Sequence, residues 1–326
     1  MSRRFVNQLG EGEQIDQIFL ASEKQLRSNR NGNLYLQVRL ADRTGSLTGM
    51  LWNANEKLYN SFENGDYLRI VGATQVYNGG LQVILNRVEK GAADQVDEAD
   101  FVTLNDRVVD ELAARMAEML RSVRDVHLRN LAECFLIDES FMAAFSRAPA
   151  GVKHHHAYHG GLLQHVVDLM ELSLVVAPRY PQIDADLLLM GAFLHDVGKI
   201  EELTFERDLG YSDAGQLIGH LVIGVSILDK KVAEAESLAE ETFPEETKLR
   251  LQHMILSHNG LLEHGSPKVP MTMEALTLHL LDTLDAKVHA FHRLIQEDSN
   301  TQSAWTTYFP ALQRKIFKGS SPPDAG

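Results

Sequence analysis

The feature that most limits what this chain can become is a change of hydrophobic period near residue 90. Before it, apolar residues alternate at every second position, as in a strand with one buried face; after it, they recur at three- and four-residue intervals, as in a helix. Leu34 to Leu40 reads Leu-Tyr-Leu-Gln-Val-Arg-Leu, Asp42-Arg43-Thr44-Gly45 supplies a turn, and Ser46 to Trp52 alternates again. Beyond residue 105, Leu112, Met116, Met119 and Leu120 make one helical stripe, and Leu162, Leu163, Val166, Val167, Met170 and Leu174 make another. Two periods call for two cores, and 326 residues are enough to build both.

In the first part, Gln14 to Lys24, Leu34 to Leu40, Ser46 to Trp52, Tyr67 to Tyr77 and Leu81 to Val88 read as five strands, with a short helix over Ala54 to Ser61 between the third and fourth. That order resembles the OB-fold, a small barrel whose exposed face and loops bind single-stranded nucleic acid or oligosaccharide. Arg27, Arg30 and Arg39 are candidates to follow a phosphate backbone, and Tyr35, Trp52 and Tyr77 offer faces on which a base can stack. The competing reading makes these aromatics hairpin packing and these arginines ordinary surface charge. Gly91 to Asp100 is small and acidic, a linker composition. Helical patterns then recur at Ile183 to Leu194, Leu217 to Val232, Glu246 to Leu256 and Met273 to Ile295 without convincing strands between them. The expected organisation is a small all-β OB-type barrel over residues 1–90, a linker over 91–104, an all-α bundle over 105–318, and a disordered tail over 319–326.

Charge divides at the same place. Residues 1–90 hold 11 Lys and Arg against 9 Asp and Glu, a net of +2, so the −14 of the whole chain leaves −16 to the remainder. All 14 histidines fall between His127 and His292. A single cysteine, Cys134, excludes an internal disulfide and a thiolate zinc site. No apolar run approaches the roughly 18–20 residues of a membrane span, and Met1-Ser-Arg-Arg leads into polar sequence, so a cytoplasmic protein without membrane partners is expected.

The adjacent pair His195-Asp196 ends an apolar helical run and is followed by Val197-Gly198-Lys199. His165, His220, His253, His258 and Asp282 also lie on or at the ends of helices with strong apolar stripes, so these side chains can converge inside a bundle. Imidazole and carboxylate without thiolate suit Mn²⁺, Fe²⁺, Ni²⁺ or Zn²⁺, and Asp196 has two oxygens with which to bridge two ions. A buried or surface residue without function remains the alternative for each histidine taken singly. Lys199, a turn beyond His195, is placed to reach a phosphate oxygen or to sit solvated at a helix end.

His165, His195-Asp196 and Asp282 match the signature of the HD-domain phosphohydrolases. The longer strings His195-Asp-Val-Gly-Lys199, Gly219-His220 and Ser257-His258 to Asp282 resemble the YhaM type of 3′–5′ exoribonuclease, in which an OB-type domain precedes the HD domain. The resemblance runs from about residue 10 to about 315. It implies that His165, His195, Asp196 and Asp282 hold a first metal, with Asp196 bridging to a second completed by His220 and His258. The chain has Asn259 where the family pattern often has a second histidine, which bears on the second ion. His253, five residues before His258, falls on another helical face and is the weaker ligand. Asp285 shares the face of Asp282 and is a candidate to orient a ligand histidine. His154 and His155, in the run Lys153-His-His-His-Ala-Tyr-His159, resemble the family's His-rich lead and are candidate phosphate contacts.

The leading expectation is a metal-dependent phosphodiesterase that degrades single-stranded RNA, with DNA also considered, from the 3′ end by metal-hydroxide attack, with Asp196 and Lys199 as catalytic residues. Two divalent ions are expected, Mn²⁺ favoured. The alternatives are hydrolysis of small nucleotides or cyclic dinucleotides, which the N-terminal domain weighs against, and a non-catalytic RNA-binding protein with a structural metal. More than four potential ligands argue against the last, because structural sites close with four. A homo-oligomer is left open.

Overall fold

The computed structural model describes residues 3–77, 80–92, 95–97, 100–101, 104–151, 158–205, 210–296, 298, 300 and 303–319. His154 and His155 lie outside these residues, as does the tail beyond Gly319. By internal packing the chain divides into a first unit, Met1–Thr103 joined by the chain from Ala290 on, and a second, Leu104–His289. The sequence reading carried the helical domain to residue 318; the two divisions differ after His289.

The first unit holds five strands, β1 (Gln14–Ser28), β2 (Leu34–Asp42), β3 (Gly45–Trp52), β4 (Tyr67–Tyr77) and β5 (Gly80–Lys90), closed into a barrel in the order β1-β2-β3-β5-β4. β1 is long enough to serve two neighbours. It pairs with β4 from Gln14 to Leu20 and with β2 from Leu20 to Ser28. A register shift between Ser22 and Gln25, where Glu23 takes φ 52°, bends it between the two ladders. Parallel pairing of Thr48–Met50 with Gln82–Ile84 closes the circuit. At the β4–β5 register shift, a Cβ on Gly72 would stand 2.3 Å from the Ile84 carbonyl oxygen, so only glycine allows that approach. The alternation read in the sequence is the inside-outside pattern: Leu36, Val38 and Leu40 are fully buried, while Tyr35, Gln37 and Arg39 face outward. The helix between β3 and β4 is α1 (Glu56–Tyr59), shorter than expected, with Asn55 capping it by accepting from Leu58 N–H.

The second unit is helical: α2 (Asp106–Arg121), α3 (Val126–Leu136), α4 (Glu139–Arg147), α5 (Gly161–Val176), α6 (Ala185–Leu194), α7 (Lys199–Glu202), α8 (Asp213–Leu217), α9 (His220–Ala239), α10 (Glu245–Ser257) and the start of α11 (Met273–Gln296). Asn105, Asp125, Asp138, Asp184 and Ser212 each accept a backbone N–H three residues on, which explains where five of these helices begin. α6 is buried all round from Leu187 to Leu194, as its uninterrupted apolar sequence requires, and packs with α5 at the centre of the core. By length and mean hydropathy (1.3) the stretch Gly161–Arg179 would reach across a bilayer, contrary to the sequence reading; Leu162, Leu163, Val166, Val167, Leu169 and Met170 pack in this core, while Leu174 and Val175 are exposed. A two-residue ladder, β6 (Leu203–Thr204) with β7 (Gly210–Tyr211), interrupts the helices where no strand was expected.

Asp138 ties α4 to α9. Its carboxylate caps Phe141 N–H and accepts from Lys231 Nζ at 2.8 Å, while Lys231 also reaches Glu234 at 2.7 Å. The Lys231 ammonium first, then the Phe141 and Ser140 hydrogen bonds, hold the Asp138 carboxyl well below the usual range against the cost of burial. Its stabilisation is therefore complete above the ordinary unfolded value of about 3.9 and is lost as pH falls through the lower folded value. Asp138→Asn should lower unfolding stability at pH 7 by about 1–3 kcal/mol and reduce the loss of stability below pH 4, both read by urea titration.

Candidate active site

Four helix ends and two helix faces converge in the second unit. His165 comes from the second turn of α5; His195 ends α6, with Asp196 next; Lys199 opens α7; His220 opens α9; His258 follows α10; Asp282 and Asp285 lie one turn apart on α11. A Cβ on Gly198 would stand 2.0 Å from the His220 carbonyl oxygen and 2.7 Å from Gly224 N. The turn after His195-Asp196 therefore lies against the first turn of α9, backbone to backbone, which is how Asp196 and His220 come together.

The four imidazoles share one arrangement. Each Nδ1 has its own anchor: Asp285 Oδ2 for His165 at 2.9 Å, Ala192 O for His195 at 2.8 Å, Ile255 O for His258 at 2.9 Å, and Glu202 Oε1 for His220 at 3.0 Å. With the proton donated from Nδ1, each Nε2 presents a lone pair to the same small volume. His165 Nε2 is 3.2 Å from His195 Nε2 and 3.3 Å from Asp282 Oδ1. Around Asp196, His195 Nε2 is 3.3 Å from Oδ2, and His258 and His220 Nε2 are 3.5 and 3.6 Å from Oδ1.

This donor set fits divalent ions. Asp196 Oδ1 is buried and has no hydrogen-bond partner, although two imidazole nitrogens face it just beyond hydrogen-bond distance. A buried carboxylate oxygen without a partner is costly, and lone pairs at 3.2 Å repel unless something positive lies between them. Among the described residues two compact groups of ligand atoms are present, His165-His195-Asp282 and His195-Asp196-His258, each within 4.8 Å. Without a cation, protons take that role: burial opposes the charge on His165, but Asp282 and Asp285 outweigh it and raise the imidazole to about 9. Burial alone would raise Asp196; the Lys199 ammonium, 2.6 Å away, and His195 reverse this and hold it far below the ordinary value.

His165, His195, Asp196 and His258 are buried, whereas Lys199, His220 and Asp282 keep 15, 18 and 19% of their side chains exposed. Solvent therefore reaches the cluster at Lys199, His220 and Asp282. Of the residues expected from the sequence, His253 is not part of it: its Nε2 accepts the Met271 N–H at 2.9 Å. Asp285 is where expected, behind His165, with His289 Nδ1 3.2 Å from its other oxygen. Glu202 was not expected. Its Oε1 holds both the backbone N–H and Nδ1 of His220, and nothing in Lys-Ile-Glu-Glu separates it from Glu201 except the turn of α7.

In the first unit, Arg27, Tyr35 and Trp52 form one cross-strand row over β1, β2 and β3. The Tyr35 and Trp52 rings lie 5.3 Å apart, and Trp52 is half exposed. Arg30 is exposed in the turn before β2, Arg39 pairs with Glu23 at 3.6 Å, and Tyr77 stands exposed near the end of β4.

Residues 162–287 match the HD domain family, and residues 22–90 match an OB-fold nucleic acid binding domain. The chain is thus an HD-domain hydrolase preceded by an OB-fold. It is 32% identical over 286 residues to the 3′-5′ exoribonuclease YhaM of Bacillus velezensis and to that of Bacillus subtilis, covering 87% of this chain and 88% of each relative. The YhaM of Shouchella clausii is similar at 32% identity over 87% of both chains. The chain belongs to the YhaM 3′-5′ exoribonuclease family.

Asp196→Ala removes the carboxylate of the His195-Asp196-His258 group, whose Oδ2 also lies 3.8 Å from His165 Nε2 of the other group. Divalent metal measured by elemental analysis should drop by at least half relative to wild type, with the helical circular dichroism spectrum retained; full metal content in this variant would show that the ions bind elsewhere.

Proposed function

We propose that this chain shortens single-stranded RNA from its 3′ end, hydrolysing one phosphodiester at a time at the Asp196 cluster. The observation that carries this reading is the convergence of four anchored imidazoles and two carboxylates around the unpartnered Asp196 Oδ1, with Lys199 at the open side. His165, His195, Asp196 and Asp282 would hold one ion, and Asp196, His220 and His258 a second. Such ions supply Lewis acidity to a phosphodiester and to a nearby water. A set of imidazoles and carboxylates without thiolate suits Mn²⁺, Fe²⁺, Ni²⁺ or Zn²⁺, of which we take Mn²⁺ as the working choice.

The protein's own groups do the rest. The fixed Nδ1 contacts hold the imidazoles in place, so little reorganisation accompanies the reaction. Attraction to Asp196 outweighs burial and keeps Lys199 charged, so its ammonium donates to a non-bridging phosphate oxygen as negative charge builds there. The Arg27-Tyr35-Trp52 row supplies a cation and two ring faces on which successive bases stack without sequence preference. A cytoplasmic location, Mn²⁺ as the favoured metal and RNA as the favoured substrate belong to this proposal, with self-association left open.

A 5′-labelled single-stranded RNA incubated with the protein and Mn²⁺ should give a ladder shortening from the 3′ end. Release of internal fragments, or no shortening with any divalent metal, would reject the reading. Lys199→Ala should lower kcat about 100- to 1000-fold while bound metal stays constant, since it removes one charged donor to the reacting phosphate.

A further inference from the structure

The segment Ser303–Gly319 has no place in the reading above, yet it carries three exposed aromatics within one short stretch, whereas the exposed Trp52, Tyr77, Tyr180 and Tyr211 lie at separate points of the sequence. Trp305, Tyr308 and Phe317 expose 49, 56 and 58% of their surface. The segment folds back on itself through the bridges Trp305 to Phe317 and Phe309 to Arg314. Its interior is supplied by other residues. Thr306 and Ile316 are buried, the Thr306 N–H donating to the Ile316 carbonyl and the Ile316 N–H to Thr306 Oγ1, each at 2.9 Å, and Asp298 accepts from Thr307 N–H at 3.0 Å and Lys318 Nζ at 2.7 Å. The Trp305 and Phe317 rings, with centroids 5.0 Å apart, are left on the outside.

Charge distinguishes the ligand. The chain has 45 acidic residues, but none lies from Ser303 to Gly319, which holds Arg314, Lys315 and Lys318. Lys318 neutralises the buried Asp298 carboxylate. That leaves Arg314 and Lys315 exposed, and Lys315 has no partner among the described residues. Flat apolar faces beside unneutralised cations, with the adjoining Asp298 carboxylate paired to Lys318, suit stacked bases between phosphates. This segment also belongs to the same compact unit as the OB barrel.

We infer that Trp305, Tyr308 and Phe317, with Arg314 and Lys315, form a second single-stranded nucleic-acid contact, additional to the barrel face. The inference rests on the proposed action on RNA, and its test separates the two. The chain has two tryptophans, so Trp52→Phe leaves Trp305 as the single reporter. Titrating that protein with an oligouridine 20-mer in EDTA, so that nothing is cleaved, should quench the Trp305 emission. By fluorescence anisotropy, Trp305→Ala and Tyr308→Ala should each raise the Kd for the same RNA about 5- to 100-fold. Lys315→Ala should lessen the slope of log K against log salt by about 0.7, as loss of one single-strand phosphate contact requires. Thermal unfolding of each variant at the wild-type temperature identifies which of them retain the fold, and Lys315→Ala, an exposed position, is the one that does so by construction.

If wild type binds RNA while Trp305 emission, both alanine Kd values and the salt slope stay unchanged, the second contact is refuted and the proposed function stands. A fall in molecular mass of Trp305→Ala in sedimentation, with RNA affinity intact, would overturn it in favour of a protein interface. Failure of wild type to bind or shorten RNA would reject the proposed function itself.

Discussion

The structure of the helical unit turns on the burial of one carboxylate. Asp196 sits inside the core with one oxygen on Lys199 and the other facing two imidazoles that stop just short of hydrogen-bond distance. Removing a charge of this kind from water costs several kcal/mol, so it persists only where cations gather around it. Most helices that reach the site contribute to that gathering: His195, His220 and His258 arrive at helix ends, where the backbone turns, and His165 from the buried face of α5.

What makes the cluster a site rather than a tangle of titratable groups is the ring of anchors behind it. Two backbone carbonyls and two carboxylates hold the Nδ1 atoms, so no imidazole is free to rotate its Nε2 away. Glu202 does this for His220 while fixing the first backbone N–H of α9, tying the short helix after His195-Asp196 to the helix that supplies the last ligand. Gly198 allows the same two segments to touch. Ligand orientation and backbone approach are therefore set by one junction, and the remote core of α5 and α6 keeps it from shifting.

The two units also divide the electrostatic work. A net charge of −14 argues against a polyanion substrate when taken as an average, yet the barrel half is slightly positive and the acidity lies with the imidazoles and carboxylates that can hold cations. On the barrel, Tyr35, Trp52 and Arg27 occupy one outward row because alternate residues of paired strands share a face.

Much of this was legible from period and spacing. Alternation from Leu34 to Leu40 set inside against outside on β2, and the turn at Asp42-Arg43-Thr44-Gly45 fixed its pairing with β3. Histidines and aspartates at the ends of apolar runs marked His165, His195, Asp196, His220, His258 and Asp282 as residues that could meet, and the structure brings them together. Spacing alone could not dispose of His253, which the approach of Met271 N–H takes out of the cluster, nor choose Glu202 over Glu201, which depends on where α7 ends against α9. It also could not place the chain after His289 with the barrel. Local pattern determines which residues are buried and which element carries them, because helix and strand periods act over a few residues. Which nitrogen faces which oxygen is decided by contacts between segments up to 120 residues apart, and only the folded chain brings those into range.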